Sequence, residues 1–497
     1  MVADLIAQYP PAGSAGTIIY VDTTAAVDGT GSFASPRNVF PSFPAYQNNT
    51  VLFAEGTTFT GQISAGAVGG YDYGTYSRLD GSRVFDKARL ATIQASAFIT
   101  AINHSGAGAN RLHVGGLRIT GATNAAGIAT GVYLGNNTAG STLILEHCVI
   151  DNISGTNIPS SLAASLRCET VIVRFCEINI TNGDAIWCQA TTGNSVVEMY
   201  GNRILVGSNT NGDGPDSIQF FRNTGGIFRN VNIVGNWIEH NAMPKQGIIV
   251  SGNNPTAGTE RWVVRNNFIF GVTNPEARTD LSGNLSAPAA FQFEAHGVSL
   301  LNNWIDGWRI WGVFYSTTTV QAVCSGNVFI TDKAAYANTV SPMVGTRSSG
   351  DDGAIFANNT LIATKPLPDM VSDQACARFS GTNNVIRNNV FLGGWRHAFR
   401  FHGGSGQTEQ KNVFWGITDR LIVGTAAGSS LAIDASSAVA DPLLDEMATP
   451  SIASPLVAAA DSVTLPNSSR LIVTDIFGAA ADDINRQTVG AIQVTTA

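Results

Sequence analysis

The segment Asn211-Gly212-Asp213-Gly214-Pro215-Asp216-Ser217 places two carboxylates on one glycine-rich bend. Carboxylates that close can share a proton, divide general acid and base roles, or hold a cation, because like charges ~5 Å apart repel until something relieves them. A third acid belongs to the same set. The phrase Asp184-Ala185-Ile186-Trp187-Cys188 aligns with Asp216-Ser217-Ile218-Gln219-Phe220, so on neighbouring parallel strands Asp184 and Asp216 would lie ~5 Å apart. Asp184, Asp213 and Asp216 would then offer oxygen ligands to a hard cation such as Ca²⁺. Lys245, one strand further on, could remove the proton α to a uronate carboxylate if its surroundings lower its pKa. Hydrolysis by a carboxylate pair needs ~5–5.5 Å or ~6.5–9.5 Å, and neighbouring strands supply either. His296 and Glu294 are further acid–base or binding candidates. The same residues also admit a plain reading, since Asn, Gly, Asp and Pro are the ordinary constituents of a tight loop and a loop lysine is commonly just solvated.

Beside these acids lie groups that could grip a polymer. Strand alternation puts Ile186, Ile218, Ile248, Phe291, Val313 and Phe399 inward, and Trp187, Gln219, Phe221, Gln292 and Phe314 outward on one sheet. Trp187, Phe221 and Phe314, with Trp237 and Trp308, could stack on sugar faces; a subunit contact or packing under a loop would use them equally well. His397 and His402 sit among Arg396 and Arg400 and read as a basic edge.

The elements that must carry these residues are visible as a repeat. An apolar strand, an Asn or small residue, any residue, then Ile, Leu or Phe recurs with slots at Leu117, Cys148, Cys176, Asn202, Asn236, Asn267, Asn303, Asn327, Asn359, Asn389 and Asn412, spaced 23 to 36 residues apart. Such a period marks a solenoid whose single repeats cannot bury their apolar side alone. Irregular spacing around a fixed phrase implies coils of constant cross-section with loops of varying length. An Asn at a tight bend tolerates the left-handed conformation, and stacked ~4.8 Å from the next its amide can bond its neighbour's. The expected fold is therefore all-β: a right-handed parallel β-helix of about a dozen coils spanning 17–426, with an N-terminal arm over 1–16 and a C-terminal cap over 427–497.

Composition narrows the function. Charged residues make up 13% of the 497, against ~25% in average globular proteins. A net charge of −8 with no basic stripe speaks against a nucleic-acid partner. The first ten residues carry no basic n-region or long apolar core, so no signal peptide is read, and no run of ~18 apolar residues suggests a membrane span. Six cysteines without paired short spacings read as buried reduced thiols, with Cys148 and Cys176 at equivalent slots.

The entry Thr17-Ile18-Ile19-Tyr20-Val21-Asp22, with Asp28-Gly29-Thr30-Gly31 after it, and the closing Asp482-Asp483-Ile484-Asn485-Arg486 resemble the two ends of many β-helix proteins of the pectate-lyase-like superfamily. The resemblance covers nearly the whole chain and speaks for fold more than chemistry. Asn211 to Asp216 resembles the Asn-Thr-Asp-Gly-x-Asp phrase of polygalacturonases, with Gly212 in place of Thr. That resemblance implies a catalytic carboxylate at Asp213 and a substrate-positioning amide at Asn211. The family's Asp-Asp pair is replaced by Pro244-Lys245-Gln246, its Gly-His-Gly is approximated by Ala295-His296-Gly297, and its Arg-x-Lys is missing. The favoured expectation is a phage tailspike-like virion protein, a homotrimer that binds and leans toward cleaving a bacterial surface polysaccharide. Residues 1–16 would dock on a virion baseplate or tail protein. No cofactor is required, or Ca²⁺ if the reaction is a lyase reaction. The alternatives are a monomeric extracellular polysaccharide lyase or hydrolase, and a non-enzymatic adhesin or structural fibre.

Overall fold

The computed structural model describes residues 16–40, 47–65, 69–105, 110–125, 127–135, 139–155, 161–181, 183–190, 193–207, 216–223, 225–240, 246–252, 258–271, 289–308, 312–315, 322–331, 344–346, 353–363, 375–394, 396–417, 420–424 and 430–444. They fall into two compact units, Met1–Asn230 and Val231–Ala497. Each is a right-handed parallel β-helix built from three sheets, the hand that strand twist imposes on parallel crossovers. Among the described residues the only helical turn is Lys87–Arg89, a 3₁₀ turn that Asp86 caps by accepting from the Ala88 amide.

In the first unit the inward positions form straight columns. The first sheet stacks Val51, Tyr73, Val114, Leu145, Val173 and Met199. The second stacks Ile93, Ile119, Ile150, Ile178 and Ile204. The third stacks Ile63, Ile102, Val132, Ala164, Ile186 and Ile218. All these side chains are buried, and β-branched residues suit a pleated surface packed on one side. Each fully buried isoleucine contributes roughly 1.5–3 kcal/mol relative to exposure, offset in part by its ordering. In the second unit the second sheet continues the logic with Ile238, Ile269, Ile305, Phe329, Leu361, Phe391 and Phe414.

The slot residues stack as expected. In the second unit Asn236, Asn267, Asn303, Asn327, Asn359, Asn389 and Asn412 form a buried ladder. Asn327 shows the pattern: its backbone N–H and its Nδ2 both donate to Asn359 Oδ1 at 3.0 Å. Its Nδ2 also donates to the Leu300 carbonyl at 3.0 Å. Its own Oδ1 accepts from the N and Nδ2 of Asn303 at 2.9 and 3.0 Å. An amide has two N–H donors and two carbonyl lone pairs, so each is saturated by its neighbours. In the first unit Leu117, Cys148 and Cys176 hold the slot before Asn202, whose Oδ1 accepts from the Cys176 amide at 2.9 Å. All six cysteines are free and buried.

One detail corrects the sequence reading. The ladder residue is not the left-handed one; its predecessor is. Positive φ falls on Gly116, His147, Phe175, Gly201, Gly235, Asn266, Asn302, Gly326, Asn358, Asn388 and Lys411. The bend is thus a pair: a left-handed residue that turns the chain, then an inward amide that satisfies it.

Candidate functional site

The third sheet of the first unit carries the expected outward face. Between its inward columns runs the outward column Ser64, Asn103, Tyr133, Ser165, Trp187 and Gln219. Trp187, Gln219 and Phe221 are half-buried, with one side toward solvent. Arg167, one residue past the strand Ser161–Leu166, folds back over this column. Its guanidinium carbon lies 4.9 Å from the Trp187 ring centroid and 5.8 Å from that of Tyr133, within cation–π range of both. Among the described residues Arg167 makes no ion pair, and its Nε is buried without a hydrogen-bond partner. Two rings and a planar cation on one face offer stacking surface for a pyranose and a fork for a carboxylate. Sequence reasoning found Trp187, Gln219 and Phe221 but missed Tyr133 and Arg167; extending the strand alignment two coils upstream would have shown Tyr133.

Asp184 and Asp216 are indeed neighbours on adjacent coils, two residues before Ile186 and Ile218. Both are buried, 5% and 4% exposed. The Asp216 amide donates to Asp184 Oδ1 at 2.9 Å, and the Asp216 carbonyl accepts from the Ala185 amide at 3.2 Å. Asp184 therefore ties two coils together through backbone. Asp213, Asn211 and Lys245 lie outside the described residues. A calcium site takes six to eight oxygens, and among the described residues no group of three or more acids, histidines or cysteines could hold a metal. The two carboxylates described do not by themselves make one.

The remaining candidates belong to the second unit. Glu294 is half-buried and ends the strand Ala289–Glu294, and His296 follows it, 4% exposed. Gln292 accepts from Gln246 Nε2 at 3.1 Å. Phe314 lies on the strand Gly312–Tyr315, where the register pairs Gln292 with Val313 and Phe293 with Phe314. Trp308 is a correction. It is buried, its Nε1 donates to the Ile269 carbonyl at 3.3 Å, and it packs on His240. Trp237 is 42% exposed and stacks on Phe268 with centroids 5.7 Å apart.

A buried charge network in the first unit had no sequence signal. On the outer face of the first sheet, Asp72 Oδ1 receives Arg83 at 2.7 Å and His113 Nδ1 at 2.9 Å. Thr50 donates to Asp72 Oδ2 at 2.9 Å. His113 Nε2 meets Glu146 Oε1 at 2.9 Å, and Arg174 holds Glu146 Oε2 with Nε at 2.7 Å and NH2 at 2.6 Å. Asp72, His113, Glu146 and Arg174 are all at most 5% exposed. Both ring nitrogens face a carboxylate oxygen, an arrangement that the doubly protonated imidazolium satisfies with its two N–H groups; Arg83 NH1 also approaches Nδ1 at 3.3 Å. Burial opposes that charge on His113, but Asp72 and Glu146 outweigh it and raise its pKa. Burial likewise opposes ionisation of Glu146, yet His113 and Arg174 hold it at about 2. Arg83 arrives on the segment after Tyr76, whose strand Arg83–Val84 turns back antiparallel on Gly69–Tyr76. It lies against Gly74 and Gly115, where a Cβ would meet its guanidinium at 3.1 and 2.9 Å. Closed to a polymer, the network pins this segment onto the coil rather than serving a site.

No family model and no curated protein sequence matches the chain. Among solved structures it is similar to the pectate lyase Pel9A, at 14% identity and a TM-score of 0.40 over 97% of both chains. It is also similar to a PL6 alginate lyase in complex with a trisaccharide, at 12% identity and a TM-score of 0.47 over 99% of this chain and 91% of that one. Likeness at this level says nothing of chemistry; what stands is the chain's own geometry, a parallel β-helix with a cationic, aromatic strip on an outer face.

Proposed function

We propose that the chain binds a bacterial surface polysaccharide along the outer face of the third sheet in its first unit, as a tailspike-like virion protein that also cleaves the polymer. The observation that carries the binding is the strip in which Arg167 lies over Trp187 and Tyr133. A stack of parallel strands repeats its outward positions every ~4.8 Å, which suits a linear ligand. Cleavage is assigned to Asp216, supported by Asp184 and Asp213, because Asp216 precedes Gln219 by three residues, about 10 Å along the strand. For the homotrimer, support comes from the outer face of the second sheet in the second unit. There Trp304, Val328 and Ile362 cluster with Phe268, Phe270, Ile330 and Leu392, and Trp237 and Trp415 stay 42% and 41% exposed. Apolar area of this kind is commonly covered in assemblies.

A second reading, a glycan binder without cleavage, is favoured by one specific contact: the Asp184 carboxylate already accepts the Asp216 amide, and both acids are buried. Incubation with a panel of capsular polysaccharides separates the two. New absorbance from an unsaturated uronate, or release of reducing ends, that disappears in Asp216→Asn supports cleavage. Binding without either product supports the binder, and full cleavage by Asp216→Asn removes the acids from the mechanism.

A further inference from the structure

We propose that Arg167 and Gln189 select the polymer on the third-sheet face of the first unit, and that they take a sugar bearing a carboxylate. The ligand class rests on the polysaccharide reading above and narrows it from any surface glycan to an acidic one.

Register puts the two residues side by side. Leu166 pairs with Cys188 on the next coil, so Arg167 and Gln189 are the following residues of adjacent coils, ~4.8 Å apart in backbone. Both fall in the outward phase, two positions beyond Ser165 and Trp187, which pair directly. The Arg167 amide donates to the Leu134 carbonyl at 2.8 Å, which keeps the residue on the ladder although its strand ends at Leu166. Yet the two side chains do not bond each other. Ser165, 2% exposed, is small and leaves a gap between Tyr133 and Trp187, its partners on either side. Arg167 folds back over that gap, and contacts with both rings hold its guanidinium there.

The polar atoms left open on this face define the occupant. Arg167 Nε is shut from solvent without a partner, and so are Gln189 Oε1 and, two coils upstream of Arg167, Asn103 Oδ1. Gln189 is 8% exposed, so its amide oxygen has lost water and gained no donor, a cost native proteins seldom carry without a use. Arg167 has no ion-pair partner among the described residues. The outward column around it, from Ser64 through Asn103, Tyr133, Ser165 and Trp187 to Gln219, holds no acid, in a chain of net charge −8. A planar carboxylate answers the guanidinium fork, ring hydroxyls donate to the two amide oxygens, and the C–H face of the sugar lies on Trp187. From Asn103 to Gln189 is three coils, ~14 Å, the length of a short run of sugar rings. A neutral glycan would leave Arg167 without a counter-charge. A small inorganic anion would leave both amide oxygens without a donor.

The test is calorimetric titration of the full chain with acidic and neutral capsular polysaccharides, with each acidic member after carboxyl reduction, and with dextran sulfate. The acidic members include uronate, sialate and pyruvylated polymers, which shows the source of the carboxylate. Binding should be confined to carboxylate-bearing members and fall at least tenfold on reduction. Arg167→Gln should bind native and reduced polymers alike. Gln189→Glu sets a carboxylate beside Arg167 and supplies the counter-charge from within. It should weaken acidic polymers at least tenfold while raising the melting temperature; an arginine with a merely structural role would give the rise without the loss. All variants should keep the wild-type circular dichroism. Equally tight binding of reduced, neutral or sulfated polymers overturns the carboxylate assignment, as does wild-type affinity in both Arg167→Gln and Gln189→Glu. If Trp187→Ala still weakens binding in that case, the third-sheet reading stands and only the assignment falls. Wild-type affinity in all three variants, or no binding anywhere in the panel, overturns both.

Discussion

Replacing Glu146 by Gln should loosen four coils of the first unit selectively. The substitution keeps the shape but removes the charge that His113 and Arg174 share. Arg174, 4% exposed, is then left as a buried cation without its carboxylate, a loss of roughly 3–5 kcal/mol in comparable pairs. The carboxyl gives a similar figure from its titration: a shift from 4.5 to about 2 corresponds to about 3 kcal/mol at 1.36 kcal/mol per unit. Because a solenoid repeat touches only its neighbours, the effect should be read locally, by amide hydrogen exchange. The strands Gly69–Tyr76, Asn110–Gly115, Thr142–Glu146 and Thr170–Arg174 should lose protection by about 10²-fold, while strands of the second unit keep theirs. The pH dependence has two limbs of opposite sign. Glu146 has a depressed pKa, so its contribution is complete above about 4.5 and is lost as the pH falls through about 2. His113 has a raised pKa, so its contribution is complete below 6.5 and is lost as the pH rises through its higher folded value. In Glu146→Gln the Glu146 acid limb should vanish. Unchanged protection in those strands, or an acid limb as large as the wild type's, would show that the network does not hold the fold.

Two further outcomes follow from packing. Asn327→Leu takes away the Oδ1 that accepts from the N and Nδ2 of Asn303, and removes the Nδ2 donor to Asn359 Oδ1 and to the Leu300 carbonyl. At about 1–3 kcal/mol per unsatisfied buried group, it should cost more than 3 kcal/mol in denaturant titration; a loss below 1 kcal/mol would contradict the ladder's role. Light scattering should return the mass of three 52.0 kDa chains, and a single-chain mass would refute the trimer.

The repeat was legible because its physics is local. An apolar strand, a bend and an inward amide recur at fixed phase, and the period alone fixed the slot residues and the inward columns around Ile186, Ile218, Ile248 and Phe291. The left-handed position was misplaced by one residue for an equally local reason. Asn266-Asn267, Asn302-Asn303, Asn358-Asn359 and Asn388-Asn389 are doublets, and both members suit a bend. Gly201, Gly235 and Gly326 mark the true position, since only there does a Cβ penalise the turn. His113, Glu146 and Arg174 were invisible as a set because their burial depends on a segment folding back over an outward face, a tertiary event with no period. Arg167 escaped notice because it lies just past a strand end, where alternation no longer places side chains.

The most direct test of the central claim is the affinity of the chain for its polysaccharide with and without the third-sheet strip. Trp187→Ala and Arg167→Ala each remove one partner of the stacked pair without touching an inward column. Truncating a central aromatic or arginine anchor commonly costs at least 2 kcal/mol, roughly thirtyfold in Kd. Once the screening panel yields a bound polysaccharide, fluorescence titration on wild type and both variants should show that loss in each, with folding unchanged. Wild-type affinity in both variants would place the polymer elsewhere and contradict the account.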